Sequence, residues 1–231
     1  MGVLLVSLSN MRVIQADMIY KRAKPFDSQA TSQQDGDLWD TAIAIYNKAI
    51  DLAPTEDFYY LFLGRAFLER STITEDATER DELLAEAEER LQEAQAINPL
   101  NTDHTANLAR LNTRWVELSQ TEAEKEERLH KAEAYYEDAM ALSPQNSLIR
   151  NEYARLLYGL QQDCQAALAV YDESIQIDPY FDESFFGRAD TRIACAASLP
   201  EDEQEAALTQ AIADLEAGLA MGRATPAPNC G

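Results

Sequence analysis

The chain has few residues that break or bend helices, with eight glycines and eight prolines in 231 positions. With Ala, Leu, Glu and Gln abundant and β-branched runs rare, that scarcity favours helix, and almost no sheet is expected. Histidine and cysteine are scarcer still, at two and three. His104, His130, Cys164, Cys195 and Cys230 form no CxxC pair and no zinc-ligand spacing, so no metal site is expected. Basic residues are outnumbered 19 to 41, giving a net charge of −22 and a pI near 4.3. Such a surface repels phosphate backbones and anionic bilayers, which argues against nucleic-acid and lipid-surface partners. Catalytic signatures are missing too: there is no glycine-rich phosphate loop, GxSxG elbow, HExxH helix or EF-hand spacing. Asp35, Asp37 and Asp40 crowd together where a helix is expected to begin, and carboxylates at a helix N-terminus explain them better than calcium. No catalytic residue and no cofactor is assigned. The strongest apolar run near the start, Val3, Leu4, Leu5, Val6 and Leu8, lacks a positive flank and is too short to cross a bilayer. A membrane is therefore expected only if residues 1–9 are the end of a truncated helix.

What is present is a repeat. In WDTAIAIYNKAIDLAP, residues 39–54, Ala42, Tyr46 and Ala49 share a helix face, and Pro54 closes the segment. The pattern returns as Ala87, Leu91, Ala94 and Pro99, as Ala132, Tyr136, Ala139 and Pro144, and as Ala167, Tyr171, Ser174 and Pro179. A fifth copy, Ala211, Leu215 and Gly218, has Arg223 where the proline would stand. The leading alanines step by 45, 45, 35 and 44 residues, periods that mark solenoids. Between these helices lie partner helices, the first read over 10–23, followed by a long polar loop, KPFDSQATSQQDG, at 24–36. Acidic insertions at 70–82, 114–128 and 196–205 read as longer helices and loops forming one ridge along an edge, solvent-facing or receptive to a basic partner.

Tyr60, Leu63, Gly64 and Phe67 give aromatic-x2-Leu-Gly-x2-aromatic, and Ala87, Leu91, Ala94 and Pro99 complete it, so the chain resembles the tetratricopeptide repeat family. The resemblance implies an all-α right-handed solenoid of about five helix pairs: 10–54, 55–99, 100–144, 145–179 and 180–222, with an extended tail over 223–231. It also implies a concave groove for a protein or peptide, lined by Phe58, Leu61, Arg65, Arg110, Asn151, Arg155, Tyr158 and Phe186. Arg65, Arg110 and Arg155 recur at one repeat position and would either hold carboxylates of an extended peptide or acidic glycan, or pair with acidic neighbours on the adjacent helix.

Cys164 and Cys195 fall near the start of one helix and the end of its antiparallel neighbour. They are either bonded, implying an oxidising compartment, or two separate buried thiols. Cys230 has no obvious partner in the chain. The stretches VIQADMIYK, DFYYLFLGRAF and NTDHTANLARLNTRW also look like the tetratricopeptide tail of bacterial O-antigen ligase-like membrane proteins, implying a place outside the cytoplasm near glycan-handling machinery, with the cytoplasm as alternative. The main functional expectation is a noncatalytic scaffold. The other is a homo-oligomer or filament joined head to tail through bare ends and Val3 to Leu8.

Overall fold

A computed structural model describes the backbone of residues 2–224 and the side chains of residues 11–221. The described chain is helical without strands: α1 (Gly2–Gln33), α2 (Gly36–Leu52), α3 (Asp57–Thr72), α4 (Ala77–Ile97), α5 (Thr102–Leu118), α6 (Glu122–Leu142), α7 (Ser147–Gln161), α8 (Cys164–Ile177), α9 (Asp182–Ala196) and α10 (Glu201–Ala224). It divides into two compact units, residues 1–135 and 136–231.

The even-numbered helices carry the repeated triad. Ala42, Ala87, Ala132, Ala167 and Ala211 are all buried, because a methyl group lets the partner helix approach closely. The larger residue four positions on fills the space under the following helix. Tyr46 packs on Phe62 of α3, Tyr136 on Tyr153 of α7, and the Tyr171 ring lies against Gly187 of α9. Each early even helix ends two residues before a proline, and the same turn follows: Glu56, Asn101, Asn146 and Phe181 each donate a backbone N–H to the carbonyl three residues back. The next helix then starts, with Asn101 and Asn146 side chains capping α5 and α7.

In the first unit, one core joins α1, α2 and α3 around Ala16, Tyr20, Ala23, Tyr46 and Leu63. A second joins α3, α4 and α5 around Leu84, Leu91, Leu108 and Trp115. The long α4, α5 and α6 are clamped by Arg128, which lies 3.3 Å from the Trp115 ring centroid and donates to both oxygens of Glu88 at 3.0 and 2.9 Å. His104, fully buried, reaches Asp57 through Nε2 at 2.7 Å, with Asn98 and Asn101 as further donors. Burial works against the Asp57 carboxylate, but these donors outweigh it and hold its pKa below the usual value.

In the second unit, Asn151, Ser174 and Ser184 hydrogen-bond in the interior at 3.0 Å, and Ser147 joins them through Ser174. Arg188 reaches Asp172 on α8 and donates twice to Asp214 on α10, and Arg192 adds a third bond to the buried Asp214. A disulfide joins Cys164 at the start of α8 to Cys195 near the end of α9, with Cα atoms 6.2 Å apart.

Several expectations need correction. The segment 24–36 is not a loop: α1 continues through Pro25 to Gln33. Ala23, Phe26 and Ala30 carry its apolar stripe past the proline onto α2, and this packing outweighs the lost backbone bond. The helix stops at Gln34, which adopts a left-handed φ of 53°, and Asp35 then caps α2 by accepting from Asp37 and Leu38. The acidic insertions of the first unit are, as read, longer helices with short connections: 70–82 spans the end of α3 and the start of α4, and 114–128 the end of α5 and the start of α6. At the carboxyl end α10 extends to Ala224, one residue past Arg223, while Cys230 lies outside the described residues, as do the side chains of Val3, Leu4, Leu5, Val6 and Leu8.

Two outcomes test this packing. A Cβ on Gly64 would meet Leu91 Cγ at 2.7 Å and the Ala87 carbonyl oxygen at 3.2 Å, so Gly64→Ala is expected to lose about 1–3 kcal/mol in chemical unfolding. Titration of the unreduced, unfolded chain should find one reactive thiol, and reducing the bond, which closes a 31-residue separation, should cost about 3 kcal/mol.

Candidate binding pockets

The groove residues separate by position once they are placed. Leu61 is buried against α4 and α5, and Asn151 is fully buried and satisfied by Ser184, so neither offers surface to a partner. Both sit one helix face inward from the residues around them. Phe58 remains 43% exposed and makes edge contacts with Tyr20 and Phe62. Arg110 is half-buried on α5 and already engaged within the protein. Arg65 and Arg155 are exposed, and neither forms an ion pair among the described residues.

Each of these two arginines lines a pocket. In the first unit Arg65 stands 5.5 Å over the Phe62 ring, beside a cavity of about 250 Å³ bounded by Asp27 and Thr31 of α1, Trp39 of α2 and Glu69 of α3. Burial raises the pKa of the Asp27 carboxyl, while a hydrogen bond from Tyr46 and the charges of Arg65 and Lys24 pull it back. Burial also pushes Tyr20, whose ring packs edge-on against Phe62, up to about 12. The sequence reading missed Asp27 and Lys24, having placed them in a loop; the stripe Ala23, Phe26, Ala30 was the available signal.

In the second unit Arg155 and Tyr158 of α7 face Glu183, Phe186 and Asp190 of α9 across a cavity of about 600 Å³ whose floor is Tyr171. Gly187 makes that floor: a Cβ there would lie 2.5 Å from the Tyr171 ring. The pocket offers one cation, two carboxylates and aromatic walls, which suits a polypeptide segment better than a small apolar molecule. Among the described residues no group of His, Cys, Asp or Glu is arranged to hold a metal ion, and no helix is long and apolar enough to cross a membrane.

Helix pairs stacked by a small-residue column match solved structures over most of the chain. TTC0263, a thermophilic TPR protein of Thermus thermophilus, aligns with a TM-score of 0.56 at 16% identity, covering 89% of this chain and 98% of the other. The chain has the tetratricopeptide-repeat fold. MamA aligns with it at a TM-score of 0.55 and 16% identity, over 86% of this chain and 95% of MamA. A family model, the plant-specific mitochondrial import receptor subunit TOM20, matches residues 60–157, less than half of the chain. No curated protein matches. Within this tetratricopeptide frame, Arg65 and Arg155 occupy the position after the small residue of the odd-numbered helices, Gly64 and Ala154.

Exposed side chains without ion pairs are dispensable for folding. Arg65→Glu and Arg155→Glu are expected to shift unfolding free energy by no more than about 0.5 kcal/mol. Arg128→Ala, which strands Glu88 and uncovers Trp115, should cost about 2 kcal/mol or more in the same melts.

Proposed function

We propose that this tetratricopeptide protein is a noncatalytic scaffold that holds an extended protein segment, with Arg65 and Arg155 capturing its carboxylates. The observation that carries the reading is that neither guanidinium closes an ion pair among the described residues and both line pockets with aromatic walls, in a chain where acids outnumber bases 41 to 19. Each shares its pocket with carboxylates, Asp27 and Glu69 for Arg65 and Glu183 and Asp190 for Arg155, yet closes an ion pair with none of them, which leaves its fork available to an incoming acid. The overall negative field slows an acidic partner's approach, so recognition depends on contact inside the pockets.

The disulfide supports an oxidising, extracytoplasmic setting. A link to glycan-handling membrane machinery, or an acidic glycan as ligand, rests on the likeness of three short stretches alone. Association between copies is the second reading, and it concerns the terminal helices, where large apolar side chains are exposed.

A random peptide library selected on the intact, unreduced chain tests the first reading. Enriched peptides should carry Asp or Glu and lose most of their affinity for the Arg65→Glu, Arg155→Glu double variant. Equal binding to both proteins would refute a role for these arginines; the absence of any enriched peptide would count against the scaffold itself.

A further inference from the structure

The two terminal helices each leave an apolar stripe uncovered. On α1, Met11, Ile14 and Met18 are 57%, 59% and 60% exposed, on the face opposite Ala16, Tyr20 and Ala23. On α10, Leu208, Ile212 and Leu219 are 41%, 57% and 53% exposed, and Leu215 completes the row at spacings of four, three and four residues. Leu215 stands where Tyr46, Tyr136 and Tyr171 are buried in earlier repeats, each beneath the odd-numbered helix that follows it; in α10 the position is only half-buried. No described helix covers it.

Inside the chain an odd-numbered helix packs on the even one before it, α3 on α2, α5 on α4 and α9 on α8. Among the described helices, α10 is an even helix without a successor and α1 an odd helix without a predecessor. Their charges are complementary. In α10 five acids besides the buried, arginine-bound Asp214 stand against Arg223 alone, whereas α1 carries Arg12, Lys21, Arg22 and Lys24 against Asp17 and Asp27.

We infer that α10 of one copy docks on α1 of another, antiparallel, continuing the alternation of helices from chain to chain. One register matches three of the four: Met18 meets Leu208, Ile14 meets Ile212 and Met11 meets Leu215, with Arg22 near Glu205. Pairing of α10 with itself would set two acidic helices together, so opposite local charge selects the head-to-tail contact even though two chains of net charge −22 repel at a distance. A heterologous contact of this kind repeats, and its product grows past a dimer.

Sedimentation velocity over a concentration series reads the outcome. The parent chain is expected to rise from 25.8 kDa to species larger than a dimer. A variant with Leu208→Glu and Ile212→Glu, and another with Ile14→Glu and Met18→Glu, should each stay monomeric with an unchanged helical circular-dichroism spectrum. Mixed in equal amounts, they should form a heterodimer and stop there, since each retains one intact face. A parent chain that remains monomeric, a mixture that fails to pair, or a variant that still dimerises alone would overturn the proposal. The Arg65→Glu, Arg155→Glu variant should assemble like the parent, which separates this contact from the peptide pockets.

Discussion

The structure depends on one constraint, that a helix pair can close only where a small residue faces its partner, and that the larger residue four positions on must then be covered by the next helix. Ala42, Ala87, Ala132 and Ala167 meet the first half, and the following helices meet the second at Tyr46, Tyr136 and Tyr171. Because each repeat relies on its successor, burial is complete in the middle of such an array and incomplete at its edge. Leu215 is the residue at which that dependence becomes visible.

Much of this was legible in the sequence. The alanine column, the closing prolines and the aromatic-x2-Leu-Gly motif located nine helices, α2 to α10, because each feature is a local packing requirement with a fixed spacing. The first helix was misjudged because Pro25, Ser28 and Ser32 are strong local signals for a loop, and only the stripe through Ala23, Phe26 and Ala30 opposes them. Tertiary burial outweighed local preference there. The pockets were less legible still. Helix periodicity gives the phase of a residue to about one position, which is enough to put Arg65 and Arg155 on an exposed face but also admitted Leu61 and Asn151, whose side chains turn inward.

Charge is distributed with a clear division of labour. Arg70, Arg90, Arg128, Arg188 and Arg192 are each tied to carboxylates on their own or neighbouring helices. They neutralise local acid and hold adjacent helices in register. Arg65 and Arg155 form no ion pair among the described residues, and each lines a pocket that holds aromatic rings as well as carboxylates.

The disulfide has a consequence for how the second unit comes apart. A linear stack frays from its ends, one helix pair at a time. With the start of α8 bonded to the end of α9, neither can peel away without the other, so fraying that begins at α10 has to halt at Asp214, Arg188 and the bonded pair behind them. Amide protons of α10 would then exchange with solvent well before those of α8 and α9, leaving a covalently closed hairpin as the seed from which the end of the array re-forms.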